Sequence, residues 1–239
     1  MTGGPHPIAP AALFIGPSVP TNLVRDLFPG EILPPIRRGD LDELLARKAP
    51  PELVGIVDGQ FLQALAVSPK EVLRALDRSV RVYGSSSIGA LRAVECGPFG
   101  MTGVGEIYRM YADGELDADD EVAIFVDPET QRPLSEPMVN IRVALRVAVA
   151  QGLITAATGE LATALAKALY FPERSYQDLL HVLQGSVDDA QHAALTDFLT
   201  SGRAPDQKRA DALALMHDMS LALGDTTTQP GNQPSRDIR

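Results

Sequence analysis

A chain of 239 residues, 45% of them hydrophobic, can bury a substantial core and is globular rather than disordered. Its net charge of −10 argues against a broad nucleic-acid footprint, and no apolar run approaches the ~20 residues of a membrane span. Cys96 is the only cysteine, which excludes an internal disulfide, a zinc cluster and a CxxC redox pair and makes a cytoplasmic location the expectation.

Residues 1–11 lack a basic region and read as a flexible lead rather than a secretory signal. Residues 12–16 (ALFIG) read as a buried strand closed by Gly-Pro-Ser, and residues 22–28 as a helix capped near Thr21. A short strand at 31–33 precedes Pro34-Pro35, and a helix over 41–47 opens at Asp40 as its N-cap. Residues 53–61 form an apolar strand that runs into Asp58-Gly59, and 69–76 a helix with proline at its start. Residues 80–84 (VRVYG) are the next strand and 122–127 (VAIFVD) the last. Strands alternating with helices imply an α/β fold, a three-layer, Rossmann-like parallel sheet, over a core domain of residues 12–145. From Pro137 onward successive helical patterns predominate, at 139–154, 158–170, 176–183, 188–199 and 208–223. They define a helical region of residues 146–223, followed by a polar, Gly- and Pro-bearing tail of 224–239 expected to be disordered.

In open parallel sheets ligands bind beyond the carboxyl ends of the strands. The polar residues Gly16-Pro17-Ser18, Asp58-Gly59 and Gly84 to Ser87 gather at those ends. The stretch 80–96 (VRVYGSSSIGALRAVEC) is a strand, a tight turn carrying hydroxyls, and a helix start whose N–H groups can hold an anion or a developing oxyanion. Ser87 sits in a small–x–Ser–x–small pattern close to a nucleophile elbow, with Ser85 where the first glycine usually stands. It either attacks a substrate or caps the helix.

The four histidines are His6, His181, His192 and His217, and only His6, in the lead, precedes the helical region, so a Ser-His-Asp triad has no obvious histidine. Lys70 is the alternative base, if its pKa is depressed, or else a surface lysine. Arg37, Arg38 and Asp40 lie in PPIRRGDL, where the prolines extend the chain; the arginines suit a carboxylate or phosphate, or form a solvated loop. Asp58 orients a base, binds a hydroxyl or metal, or makes a turn. The acidic run from Asp113 to Glu121 lacks calcium-loop spacing and reads as a solvated loop. The glycines of 100–107 (GMTGVGEI) miss the GxGxxG template, and no GxxxxGK[ST] occurs, so neither a dinucleotide site nor an ATP-hydrolysing P-loop is expected. No cofactor and no metal is expected, and Cys96 reads as a buried small apolar residue.

Eight segments in order carry a resemblance: IGPSVP (15–20), PPIRRGDL (34–41), GIVDGQF (55–61), KEVLRAL (70–76), YGSSSIGALRAVE (83–95), FGMTGVGEIY (99–108), DDEVA (119–123) and SEPMVNIR (135–142). Over residues 12–145 the chain resembles the TfuA-like family. It departs from the family pattern at Pro69, where histidine is frequent, and at Ile88, where methionine is.

The resemblance implies a partner of YcaO-like enzymes in ATP-dependent thioamidation of peptide backbones, in ribosomally made, modified peptides among others. It implies sulfur supply by hydrolysis of the C-terminal thiocarboxylate of a ubiquitin-like sulfur-carrier protein, the precursor peptide being met through YcaO. The alternative is a non-catalytic adaptor that docks and activates YcaO or recruits the carrier. No nucleic acid and no membrane enters. In the hydrolase reading Ser87, Lys70 and Asp58 are catalytic. Ser18, Arg37, Arg38, Asp40, Arg92 and Arg142 form the substrate-binding set. Arg37, Arg38 and Lys70 neutralise the anionic thiocarboxylate, the N–H groups after Ser87 form the oxyanion hole, and Arg92 reaches the turn or pairs with Glu95.

Overall fold

The computed structural model describes residues 11–61, 64–127 and 132–226. In chain order the elements are β1 (Ala11–Phe14), α1 (Thr21–Leu27), β2 (Glu31–Leu33), α2 (Asp40–Leu45), β3 (Leu53–Ile56), α3 (Pro69–Asp77), β4 (Arg81–Ser85) and α4 (Ile88–Cys96). There follow β5 (Thr102–Val104), α5 (Glu106–Ala112), α6 (Met138–Ala150), α7 (Ala156–Ala168), α8 (Tyr176–Leu183), α9 (Asp189–Thr200) and α10 (Gln207–Thr226). The expected division at residue 145 falls inside α6, and α10 carries the chain helically through Thr226; the rest of the expected tail, like the lead at 1–10, lies outside the described residues.

The fold is α/β. Among the described residues five parallel strands form one sheet in the order β2-β1-β3-β4-β5. The order reverses between β1 and β3, so the loops leaving these strands diverge and open a crevice at their carboxyl ends. Alternation along each strand separates two cores. Ala12, Phe14, Val54, Ile56 and Val82 face α2, α3 and α4. Ala11, Leu13, Leu53, Val57 and Val104 face α1 and α10. Both faces are covered, as a parallel sheet requires. Helices α6 to α9 gather round a separate apolar cluster that includes Ile141, Leu145, Leu179 and Phe198.

Helix α10 therefore belongs to the sheet, although it is the last element in the chain. It packs on β3, β4 and β5. It lies close over Gly55, where a Cβ would stand 2.4 Å from Met219 Sδ. On the other face Gly89 lets α4 settle on β3, since a Cβ there would stand 1.8 Å from the Ile56 carbonyl oxygen.

One strand expectation is corrected, and one strand was not foreseen. Residues 122–127 are not a strand of the sheet: a 3-10 turn at Asp119–Glu121 leads into them, and they fold back on their own sequel through a Val126–Pro133 bridge and a hydrogen bond from Leu134 N–H to the Phe125 carbonyl. The fifth strand is instead Thr102–Val104, paired with Tyr83 to Ser85. Three residues with a central glycine give no apolar run to detect.

Candidate active site

Asp58 follows β3 and crosses the crevice. Its Oδ2 accepts the N–H groups of Gly16 (2.9 Å) and Ser18 (3.0 Å), and its Oδ1 accepts the Ser18 hydroxyl (2.6 Å). One carboxylate thus fixes the whole turn after β1. Ser18 Oγ in turn accepts a hydrogen bond from Ser86 Oγ at 3.3 Å.

The turn between β4 and α4 is strained where chemistry was expected. Ser86 has φ +65°, in the left-handed region, and Ser87 N–H donates to Ser85 O at 2.7 Å, closing a three-residue turn. Ser87 occupies the N-cap position but makes no side-chain cap hydrogen bond. Its hydroxyl is therefore not the helix cap. It accepts a hydrogen bond from Lys208 Nζ at 3.2 Å instead. In the first turn of α4, Gly89 N–H is taken by Val57 O and Ala90 N–H by Ser87 O, while Ile88 N–H has no acceptor among the described residues.

Lys208, on the first turn of α10, is the residue that sequence reasoning missed. Its ammonium nitrogen also donates to Val122 O (2.9 Å) and lies 3.9 Å from Asp58 Oδ1. Burial pushes its pKa down, and the carboxylates of Asp58, Asp206 and Glu136 oppose that shift. Asn140 on α6 positions it: Asn140 Oδ1 accepts the N–H groups of Gln207 (3.0 Å) and Lys208 (3.1 Å), and its amide donates to Glu136 and Asp206. Asp211, one turn on, holds α5 by accepting Glu106 and Ile107 N–H, and its backbone carbonyl accepts the Ser85 hydroxyl. A signal for Lys208 did exist. Lys208 and Asp211 lie in phase with Ala212, Leu215, Met216 and Met219, the buried stripe of α10, and a charge on an apolar stripe marks a site.

Of the expected residues, the structure brings together Ser87, Asp58 and Ser18. Lys70 is exposed at the start of α3 and forms no side-chain hydrogen bond or ion pair with a described residue. The capping box beside it belongs to Ser68 and Glu71, and Glu71 also accepts Gly39 N–H. Arg37 and Arg38 are exposed, and Gly39, not Asp40, is the N-cap of α2; the Asp40 carboxylate accepts Arg37 N–H within the loop. Arg92 turns from Ser87 to the Val67 carbonyl and Glu95. Arg142 makes two hydrogen bonds to Glu121, which also accepts Lys167. The end of the acidic run is thus a buried counterion, since Glu121 is 1% exposed, and not a solvated loop.

Cys96 is buried. His181 and His217 are exposed, His192 bonds the Leu180 carbonyl, and His6 lies outside the described residues. Among the described residues no cluster of three His, Cys, Asp or Glu could hold a metal, and no helix is long and apolar enough to cross a membrane.

Ser87, Asp58 and Lys208 are 2%, 2% and 3% exposed. Lys208 and Ser18 border a small pocket of about 90 Å³ whose other walls include Pro17, Ile124, Pro133 and Asn140. A buried serine paired with a desolvated lysine can perform acyl transfer without histidine.

No curated protein matches the chain. A family model described as TfuA-like protein matches residues 58–175, a span that takes in Asp58, Ser86, Ser87 and Asn140 and leaves Ser18 and Lys208 outside. With the eight ordered segments, the match settles the family: the chain belongs to the TfuA-like family.

Proposed function

We propose that this chain supplies sulfur to a YcaO-like enzyme in peptide-backbone thioamidation by hydrolysing the C-terminal thiocarboxylate of a ubiquitin-like sulfur carrier. The family supports the YcaO context. The observation that carries the hydrolase reading is the contact between Ser87 Oγ and the buried Lys208 Nζ. A lysine serves as a base when desolvation lowers its pKa, and Lys208 meets that condition.

In this reading neutral Lys208 takes the Ser87 proton as Oγ attacks the thiocarboxylate carbon. The oxyanion faces the Ile88 N–H at the start of α4. Lys208 returns the proton to sulfur, the C–S bond breaks, and hydrosulfide leaves an acyl-serine. Water, deprotonated by Lys208, then attacks the acyl carbon, the bond to Ser87 Oγ breaks as Lys208 returns the proton to Oγ, and the carrier leaves as its carboxylate. Lys208 takes over the basic role first expected of Lys70, and Asp58 holds the crevice and the charge balance around it.

Burial of Ser87 and Lys208 favours a second reading, in which YcaO docking opens the site or the chain acts as an adaptor. Hydrosulfide release from a purified carrier thiocarboxylate, with and without YcaO, separates the two. Release by the chain alone that is lost in Ser87→Ala supports the hydrolase. Release that needs YcaO and survives Ser87→Ala supports the adaptor.

A further inference from the structure

Among the described residues Arg174 is the one buried arginine, at 1% exposure, and it belongs to a clamp. It follows the turn Phe171–Glu173, just past α7. Its guanidinium donates to the Ala166 and Leu169 carbonyls at the end of α7, and to the Asp120 carbonyl (3.2 Å) and carboxylate (3.1 Å). Lys167 donates to the Asp120 and Glu121 carboxylates, and Arg142 holds both Glu121 oxygens. Three cations thus converge on one 3-10 turn, Asp119–Glu121. Burial would raise both carboxyls, but these cations outweigh it and hold them below their ordinary range, so the clamp stays charged at neutral pH.

The turn ends against the site. The Asp119 carbonyl accepts Ala123 N–H (3.2 Å), and the carbonyl of that same peptide, Val122 O, accepts Lys208 Nζ (2.9 Å). A trans peptide is planar, with its N–H and C=O pointing opposite ways, so fixing one end aims the other. The aim matters because a neutral amine has two N–H donors and a single lone pair. With one N–H on Val122 O and the other toward Asp58 Oδ1, 3.9 Å away, the lone pair is left to Ser87 Oγ at 3.2 Å.

We infer that Arg142, Lys167 and Arg174 are positioning residues for the proton transfer: through the Asp119–Glu121 turn and the Val122–Ala123 peptide they hold the Lys208 lone pair on Ser87. The helices beyond the sheet thereby complete the site at its edge. Arg142, expected at the substrate, acts on the base instead. The inference rests on Lys208 as the base of the hydrolase reading.

The test follows Lys208 directly, by ¹³C NMR titration of the lysine Cε atoms, beside hydrosulfide release from a carrier thiocarboxylate. The chain has four lysines, and Lys208→Met identifies the signal. The charges that face Lys208 are those of Asp58, Asp206 and Glu136, and every other variant leaves them and Lys208 in place. Arg142→Gln loosens the turn. A carbonyl stabilises an ammonium more than an amine, so with Val122 O displaced the Lys208 titration moves about half a pH unit or more to lower pH. kcat is expected to fall about tenfold with KM within about twofold. Arg142→Lys, which restores a charge on Glu121, is expected to recover most of both effects. Lys167→Met, changed at a half-buried side chain, moves both readouts the same way and serves where Arg142→Gln does not fold. Arg146→Gln, which breaks the exposed pair with Glu115 one turn along α6, moves neither. An unmoved Lys208 titration and kcat in folded Arg142→Gln or Lys167→Met, or an equal change in Arg146→Gln, overturns the inference. Failure of the hydrolase reading alone leaves the Lys208 titration shifted but release indifferent to Ser87→Ala. Failure of the clamp alone leaves release dependent on Ser87 and Lys208 yet unchanged in Arg142→Gln.

Discussion

Lys208 Nζ lies 3.2 Å from Ser87 Oγ, and 121 positions separate the two residues. The pair exists because α10 returns to the sheet and sets its first turn over the carboxyl ends of β3 and β4. Each partner is held by different chemistry: Ser87 by a strained turn, Lys208 by the Asn140 cap on its helix.

Asp58→Asn is expected to shift the pH profile while keeping the turn after β1. An asparagine oxygen can still accept the Gly16 and Ser18 N–H groups, and its amide can donate to Ser18 Oγ. What disappears is the negative charge 3.9 Å from Lys208, which favours the protonated lysine. Lys208 then deprotonates more readily, so the rising limb of kcat/KM against pH moves to lower pH. The check is the profile of hydrosulfide release for both proteins; an unmoved limb argues that Lys208 is not the titrating base.

Asn140→Ala is expected to reduce stability and turnover together. It removes a buried cap from the first turn of α10, at a cost of about 2 kcal/mol. It also frees Lys208 from its register over Ser87, so kcat falls more than KM rises. Urea unfolding and steady-state kinetics on the same preparation read the two effects.

Gly89→Ala is expected to destabilise by about 3 kcal/mol or more, because its Cβ would meet the Ile56 carbonyl, a backbone atom that cannot turn aside. The expected readout is a lowered denaturation midpoint. A neutral result would mean that α4 does not seat on β3 as described.

Glu121→Gln is expected to cost about 3 kcal/mol at neutral pH by leaving Arg142 and Lys167 without their shared, buried counterion. Burial alone would raise the Glu121 carboxyl, but the hydrogen bonds from Arg142 and Lys167 outweigh it and hold the group below its ordinary value. Its contribution is therefore full above the unfolded carboxyl range and is lost as pH falls through the lower folded value. The stability gap between wild type and the glutamine variant should narrow in acid.

Much of the fold was legible because its elements carry strong local signals. The strand at Glu31–Leu33 and the helix at Tyr176–Leu183 fall where expected. The apolar run at 122–127 misled, because apolarity reports burial and not sheet membership: Val122 is buried beneath the site while Phe125 is 48% exposed. Of the site, the sheet-end residues Asp58, Ser18 and Ser87 were legible from topology. Lys208 was legible only in part: its charge on the apolar stripe of α10 is a local signal, but nothing local says that this helix will cover the sheet. Lys70 drew notice by sequence position beside a strand end, yet its helix start leaves it in solvent. Arg92 and Arg142 looked like ligands for an anion; their anions turned out to be Glu95 and Glu121.

The most direct measurement sets the two lysines against each other: hydrosulfide release from a sulfur-carrier thiocarboxylate by wild type, Lys208→Met and Lys70→Met, each confirmed as folded. The account predicts a loss of about a thousandfold or more in Lys208→Met and rates within about threefold of wild type in Lys70→Met. Near-wild-type release by Lys208→Met would contradict it and remove the Ser87–Lys208 pair from the chemistry.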